Sequence, residues 1–346
     1  MIRCRWSIAL LLGILLTLAG CVANPVTGRK ELRLVSEARE IRLGEANYLA
    51  SQQMQGGIYN VDPELTRYVQ QVGNKLAKVS DRELPYEFVV LNNSVPNAWA
   101  LPGGKIAINR GLLTELDNEA ELAAVLGHEI VHAAARHGAK GVERGLLLQG
   151  AMITTGLLAR DSDYAGLILG GAQLAAGLIS QKYGRDAERE SDHFGMRYMS
   201  RAGYKPEAAV SLQEVFLRLS GNKSTNWLDG LFASHPPSRE RIENNKRTAA
   251  ALPPDGVLNR ERYQQKMTRL RRTKPAYEAH DKGRKALKKG DVQTALALAR
   301  EALKMEPREA QFHALLGDAS FSQQHYRRAL PHYNRAIDLQ DRFFHY

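Results

Sequence analysis

The sequence predicts an α+β protein, with a mostly helical domain that contains a small antiparallel sheet, followed by an all-α repeat segment. Apolar residues recur at helical spacing through much of the chain, and runs of β-branched and aromatic residues lie between residues 86 and 109. Residues 276–343 repeat with a period of 34 residues. A composition of 44% hydrophobic and 25% charged residues is that of a globular protein.

Residues 1–21 have the pattern of a secretory signal peptide. Arg3 and Arg5 precede an apolar stretch of 14 residues, which is too short to span a bilayer comfortably. The stretch ends in "LAGC" at Cys21, which resembles the lipobox of bacterial lipoproteins. That resemblance implies cleavage before Cys21 and its acylation, and two or three acyl chains would anchor the protein stably. The alternative is a plain signal peptide, or a short anchor with an incidental cysteine.

The residue after Cys21 indicates which membrane carries the anchor. Val22 stands there instead of Asp, which resembles an outer-membrane sorting signal of enteric-type bacteria. We therefore expect the protein on the periplasmic face of the outer membrane. Cys4 lies within the signal peptide, so no structural disulfide is expected.

The domain predicted for residues 22–255 begins with two helices. Residues 36–56 carry apolar positions at helical spacing, and Ser36 is suited to cap the first turn. Residues 63–79 predict a second helix that starts at Pro63, because proline is favoured at a first helical position.

Short strands and a long helix follow. Residues 86–92, "YEFVVLN", predict a strand, and "NAWAL" and "KIAIN" flank a Pro-Gly-Gly turn that predicts a hairpin. Residues 118–137 predict a long helix, which Asn118 caps together with Glu121 and which Gly138 ends. Helices with a small sheet among them are typical of an α+β domain.

Residues 141–180 contain two apolar, glycine-rich runs separated by "RDSD". Each run is short for a membrane span. We interpret the runs as a pair of buried or cleft-covering helices, with a transmembrane hairpin as the alternative.

The stretch "GHEIVH" has the spacing of a metal site. Residues four apart lie on one helix face, so His128 and His132 can bind one metal ion while Glu129 acts as the general base. A catalytic zinc site needs a third protein ligand. Spacing alone leaves several candidates for it, namely Asp186, Glu188, Glu190, Asp192 and His193.

The motifs "GHEIVH", "AERESD" and "SHPPSRERI" together resemble the gluzincin peptidase family. That family includes the CAAX prenyl proteases, the HtpX heat-shock protease and the periplasmic β-barrel-assembly-enhancing proteases, and "NPVTGRKEL" resembles its periplasmic lipoprotein branch. The resemblance covers most of residues 25–245. It implies a zincin fold, one zinc ion held by His128, His132 and Glu188, and Asp192 as the carboxylate that orients a ligand histidine.

The resemblance also implies roles for residues outside the ligand set. His235 and Arg241 match residues that stabilise the tetrahedral oxyanion, and in some relatives the matching histidine fills the fourth position of zinc and keeps the enzyme latent. Both roles stay open for His235. The stretch "NAWALPGG" resembles an edge strand above the cleft, which makes Asn97 and Ala98 the candidates for substrate contact.

Other titratable residues near these motifs are interpreted as non-ligands. His137 is interpreted as a basic residue at a helix C-terminus, where a positive charge is favourable, and His193 is likewise not expected to bind the metal. Glu190 is interpreted as a solvated charge on a helix.

After a connector at 256–275, two segments of the chain align with each other. Gly283, Ala295 and Ala302 recur as Gly317, Ala329 and Ala336, each 34 residues later. This period resembles the tetratricopeptide repeat, and two copies cover 276–343. Because three or more repeats are usually needed for independent stability, these two are expected to dock on the preceding domain or on a partner.

The basic charge of the chain lies in this C-terminal part. From Arg260 onward, 19 Lys and Arg face 10 Asp and Glu, which gives +9 of the net charge of +11. No usual nucleic-acid motif accompanies it in the sequence, so no nucleic-acid partner is expected.

The function predicted from these features is that of a lipid-anchored periplasmic zinc metalloendopeptidase acting on unfolded or misassembled envelope proteins. The repeats are expected to bind a client or the outer-membrane assembly machinery. The alternative is a non-enzymatic or latent assembly factor that acts through its repeats.

Overall fold

The computed structural model describes residues 21–154, 177–178, 183–221 and 234–343. Residues 1–20 of the predicted signal peptide and most of the apolar segment 141–180 lie outside the described residues. None of the described helices is long and apolar enough to cross a membrane.

The elements follow one another in an order that starts with strands and ends with a run of helices. They are β1 (Cys21–Ala23), β2 (Lys30–Leu32), α1 (Glu37–Met54), α2 (Pro63–Ala77), β3 (Glu87–Leu91), β4 (Ala98–Leu101), β5 (Lys105–Asn109), α3 (Arg110–Leu113), α4 (Glu119–Ala134), α5 (His137–Thr154), α6 (Arg185–Arg201), α7 (Ala208–Gly221), α8 (Arg239–Ala250), α9 (Arg260–Lys288), α10 (Val292–Met305), α11 (Ala310–Ser322) and α12 (Tyr326–Leu339). This order confirms a mostly helical α+β domain followed by a helical repeat region.

The three-stranded sheet has the order β3–β5–β4. β4 and β5 pair antiparallel, with Ala98 opposite Ile108, which confirms the predicted hairpin. β3 pairs parallel to β5, with Glu87 opposite Lys105, so the prediction of an antiparallel sheet is wrong for this pair. The reason is that β5 lies between β3 and β4; since the chain reverses direction twice from β3 to β5, these two strands run the same way.

α4 is the central helix of the domain. All of its residues except His128 are buried. Asn118 caps it by accepting a hydrogen bond from the backbone N–H of Glu121 at 3.0 Å, as predicted. Gly138, however, does not end this helix. The chain turns at Arg136, whose φ is 64°, and Gly138 already belongs to α5.

The C-terminal helices dock on the sheet end of the domain. α9 runs without interruption through most of the predicted connector into the first repeat. Glu309, fully buried, accepts hydrogen bonds from Asn92 Nδ2 at 2.9 Å and from the Tyr277 hydroxyl at 2.6 Å. Gln311 Nε2 donates to the Asn92 carbonyl at 2.9 Å. The expected docking of the repeats on the preceding domain is therefore present in the structure.

Candidate metal centre

Four side chains from three parts of the chain converge at the centre of the domain. His128 and His132 extend from α4, Glu188 from α6, and His235 from the loop before α8. One ligand-type nitrogen or oxygen atom from each side chain lies within 4.8 Å of those of the other three. The structure thus brings together the three predicted ligands and adds His235 to them.

Two glycines allow α6 to approach α4 at this point. A Cβ atom on Gly195 would lie 3.0 Å from the backbone nitrogen of His128, and one on Gly127 would lie 3.1 Å from the Gly195 carbonyl oxygen. Because neither residue has a side chain, the two backbones can come into contact. The contact directs Glu188 and Asp192 of α6 toward the histidines of α4.

The spacing of the four side chains fits a tetrahedral metal ion. Five distances between their ligand-type atoms range from 2.9 to 3.5 Å. A zinc ion with ligand bonds of about 2.1 Å would place its ligands roughly 3.4 Å apart. Imidazole nitrogens with a carboxylate oxygen are also a donor set that divalent transition metals bind.

The two ligand-type nitrogens of α4 require a proton or a metal ion between them. His128 Nε2 and His132 Nε2 lie 3.0 Å apart, and two lone pairs at that distance repel each other. Burial alone would lower the pKa of His128, but Glu188 and Asp192 outweigh it and raise the pKa to about 10. Burial holds the pKa of His132 well below its usual value. In the metal-free protein, His128 therefore carries the proton that a cation would replace.

Asp192 holds one ligand from behind. Its Oδ1 atom lies 3.0 Å from His128 Nδ1, the nitrogen that points away from the cluster. Arg241 donates to both oxygens of Asp192 at 2.7 Å and lies 3.0 Å from Glu188 Oε2. Burial would raise the pKa of Asp192, but Arg241 and His128 outweigh it and hold the pKa below its usual value. Asp192 is therefore ionised and can fix the orientation of His128.

The Arg241 guanidinium makes three hydrogen bonds in this arrangement. Besides its two bonds to Asp192, it donates to the Pro236 carbonyl at 3.2 Å. Its predicted contact with a tetrahedral oxyanion stays a prediction.

Glu129 lies on the cleft side of the cluster. Its Oε1 atom is 3.6 Å from His235 Nε2, and its Oε2 atom has no hydrogen-bond partner within the described part of the chain. Burial raises the pKa of the Glu129 carboxyl, although His235 and His128 oppose the shift. A buried carboxylate with a free oxygen beside a metal site is suited to accept a proton.

The two predicted substrate contacts, Asn97 and Ala98, differ in their surroundings. Ala98 lines the cleft together with His128, Glu129 and Phe216. Asn97 is buried, its carbonyl accepts from the Asn109 backbone N–H at 2.8 Å, and its Oδ1 atom has no partner in the described ranges.

Two side chains that the sequence did not single out as functional contact His132. The Tyr183 ring stacks on the His132 ring with centroids 3.9 Å apart. His137 Nδ1 lies 3.0 Å from His132 Nδ1. His137 follows His132 by five residues, and an α4 continued past Arg136 would place it on another helix face, so the sequence spacing did not indicate this contact.

Sequence comparisons agree with this geometry. Residues 63–249, more than half of the chain, match peptidase family M48, and residues 280–342 match a tetratricopeptide repeat family. Both matches confirm the resemblances drawn from the motifs.

Several characterised proteins are similar to the chain. The beta-barrel assembly-enhancing protease of Yersinia pestis is 31% identical over 212 residues, which cover 58% of this chain and 42% of the relative. That of Escherichia coli strain K12 is 30% identical over 230 residues, covering 61% and 46%. The mitochondrial metalloendopeptidase OMA1 of Schizosaccharomyces pombe is 32% identical over 222 residues, covering 63% of each.

The chain spans less than half the length of the two bacterial relatives. The segment that matches family M48 contains the two histidines of the HExxH motif, Glu188 and Asp192. With the ligand cluster and the match over residues 63–249, the chain belongs to peptidase family M48.

Proposed function

We propose that the chain is a zinc metalloendopeptidase that hydrolyses unfolded or misassembled envelope proteins from a lipid anchor at the periplasmic face of the outer membrane. One observation carries the proposal. The cluster of His128, His132 and Glu188 has metal-binding spacing, and the carboxylate of Glu129 lies beside it in the cleft. Cys21, in the lipobox-like sequence, would carry the lipid.

The residues of the cluster would hold zinc, and each neighbour has a part in the reaction. Bound zinc would supply a Lewis acid that acidifies water and polarises a peptide carbonyl. Glu129 would accept a proton from the attacking water and deliver it to the leaving amine. His235 and Arg241 would be the donors that stabilise the negative charge of the tetrahedral intermediate.

The edge strand supports an extended polypeptide as the substrate. β4 is paired with β5 on one side and is the last strand of the described sheet. A substrate strand could add to its free side by main-chain hydrogen bonds, which are independent of substrate sequence. Unfolded proteins offer such strands, and the names of the bacterial relatives point to clients of β-barrel assembly.

The repeats would select where the peptidase acts. Tetratricopeptide repeats commonly serve as protein-binding surfaces, and together with the anchor they would bring the peptidase to the outer-membrane assembly machinery or to its stalled clients. A Cys21→Ala variant should then leave the membrane fraction. Continued sedimentation with membranes would instead favour a membrane segment within residues 141–180.

A second candidate function is a latent assembly factor. His235 Nδ1 lies 2.9 Å from Glu188 Oε1 and 3.2 Å from His128 Nε2, so this imidazole could serve as a fourth zinc ligand and would then exclude the attacking water. If His235 stays there, the repeats and the anchor would carry out the function without proteolysis.

The substitution Glu129→Gln separates the two candidates. Gln keeps the shape of Glu but accepts no proton, so the variant should retain zinc and lose casein cleavage by about 10²- to 10⁴-fold. Undiminished cleavage would exclude Glu129 as the base. Complementation of a deletion strain gives the second comparison. The latent assembly factor would be supported if Glu129→Gln complements fully while a variant that lacks residues 291–343, the part after α9, does not.

A further inference from the structure

His137 lies directly behind the ligand His132. Its Nδ1 atom is 3.0 Å from His132 Nδ1, and the two rings cross at 76° with centroids 4.9 Å apart. His132 Nε2 faces the ligand cluster, so His137 is on the opposite side of that ring. The contact between His137 and His132 can therefore orient the His132 ring without involving the nitrogen that would bind the metal.

The backbone break between α4 and α5 puts His137 in this place. Arg136 adopts a left-handed conformation, and its buried guanidinium donates to Glu40 at 3.0 Å, to Glu143 at 3.0 Å and to the Val35 carbonyl at 2.8 Å. Asn24 Nδ2 donates to the carbonyl of the preceding residue, Ala135, at 3.0 Å. These bonds hold the turn, so the position of His137 is set by structure outside the cluster.

The far side of His137 contacts a carboxylate. Its Nε2 atom lies 3.2 Å from Glu190 Oε2, and a carboxylate only accepts, so His137 Nε2 carries a hydrogen. In the neutral His137 ring, Nδ1 is then a hydrogen-bond acceptor. His132 Nδ1–H can donate to it at 3.0 Å, and the Ser191 hydroxyl can donate to it at 3.5 Å. With its hydrogen on Nδ1, His132 presents the Nε2 lone pair to the cluster, as a metal ligand must.

We propose that His137, fixed by Glu190, is a positioning residue that holds His132 in its metal-binding tautomer and ring orientation. The inference rests on the metal site of the proposed function and assigns roles to two residues that a sequence pattern did not indicate. The two histidine ligands are supported differently. A carboxylate contacts His128 directly, whereas an imidazole stands between His132 and its carboxylate.

The series of contacts from His132 through His137 and Glu190 ends at the N-terminal hairpin of β1 and β2. Arg29, between β1 and β2, lies 3.1 Å from Glu190 Oε1, and its side chain is 74% exposed. Such an exposed ion pair contributes little energy. The essential members of the arrangement are therefore His137 and Glu190.

The test measures zinc affinity in the full chain by competition with a fluorescent zinc chelator. Loss of a residue that orients a metal ligand typically weakens metal binding by about 10- to 100-fold, and this is expected for His137→Ala. His137→Asn should stay within a few-fold of wild type, because the Asn Oδ1 atom replaces Nδ1 as the acceptor for His132. His193→Ala, which removes a histidine of α6 that is outside the cluster, is the matched control and should leave zinc affinity unchanged.

A second pair of variants keeps the inference testable if His137→Ala fails to fold, as judged by circular dichroism. Glu190→Gln retains an acceptor for His137 Nε2–H and should bind zinc nearly as wild type does, whereas Glu190→Leu should bind it more weakly. Equal zinc affinities of wild type and His137→Ala would overturn the inference. Equal weakening of zinc binding by His137→Ala and His137→Asn would also overturn it. Where the Glu190 variants are used instead, equal weakening by Glu190→Leu and Glu190→Gln would do the same. Absence of zinc binding in wild type itself would overturn the metal site as well.

Discussion

The HExxH helix α4 and the last repeat helix α12 use burial in opposite ways. In α4 every residue except His128 is buried, including the carboxylates Glu119, Glu121 and Glu129. In α12 the buried residues are two alanines, while Tyr326, Leu330 and Ile337 are exposed by 56%, 60% and 43%. One helix is enclosed with its charges, and the other presents large apolar side chains to solvent.

The difference separates two kinds of function. A buried charge is costly unless hydrogen bonds and opposite charges surround it, so ionised groups near α4 need defined partners. Asp192 illustrates this, since its oxygens are shared by Arg241 and His128. In the repeats, small residues let the helices pack closely and leave the outer faces free. The function of the ligand cluster therefore depends on the positions of individual atoms, whereas the function of the repeats depends on an exposed surface.

The largest expected effect on stability comes from a substitution in the buried ligand cluster that replaces one carboxylate oxygen by an amide nitrogen. Asp192→Asn removes the charge opposite Arg241 and places an N–H where an acceptor is needed. Because breaking a buried ion pair leaves an uncompensated charge, the free energy of unfolding should fall by about 3 kcal/mol. Zinc affinity should fall by about 10- to 100-fold. Chemical denaturation and chelator competition measure the two effects.

The same exchange in the repeats is the matched control. Asp318 accepts a hydrogen bond from the Tyr333 hydroxyl at 2.9 Å in an exposed position. Asp318→Asn keeps an acceptor there, so stability should stay within about 0.5 kcal/mol of wild type. Similar losses at the two sites would break the distinction between the two regions.

A second effect on zinc affinity is expected from pH, and only at the centre. Because the pKa of His128 is raised to about 10 in the metal-free cluster, the proton is present below that pH and zinc must displace it. Zinc affinity should therefore fall about tenfold for each unit by which the pH is lowered, from about pH 8 to pH 6. Competition titrations at three pH values measure the slope. A flat profile would mean that no proton occupies the cluster.

The smallest effects should come from two adjacent residues of α12. Ala329 is 1% exposed and Leu330 is 60% exposed. Ala329→Leu would overpack the contact between repeat helices and cost about 1 to 3 kcal/mol. Leu330→Ala should change stability by less than about 0.5 kcal/mol. Thermal unfolding of the two variants distinguishes a buried alanine contact from a solvated face, and a reversed order would contradict the assigned packing.

Much of the fold follows from local patterns. The cap at Asn118, the hairpin of β4 and β5, and the facing pair His128 and His132 all depend on residues close in sequence. The parallel pairing of β3 with β5 does not, because it depends on which strand lies in the middle of the sheet.

The rest of the centre depends on tertiary contacts. Spacing within residues 185–195 leaves open which acidic residue faces α4, and the family resemblance rather than periodicity pointed to Glu188. In the structure, the contact between Gly127 and Gly195 decides it. His137 was interpreted as a helix-end charge, because the left-handed turn at Arg136, which brings it to His132, is held by partners far away in sequence.

The central claim is that one metal ion binds to His128, His132 and Glu188. A crystal structure of the zinc-loaded protein, with anomalous diffraction measured at the zinc edge, tests it most directly. The account predicts a single strong peak at about 2.0 to 2.2 Å from both Nε2 atoms and from a Glu188 oxygen, with His235 or water in the fourth position. A zinc peak bound by other residues, or no peak between these three side chains, would contradict it.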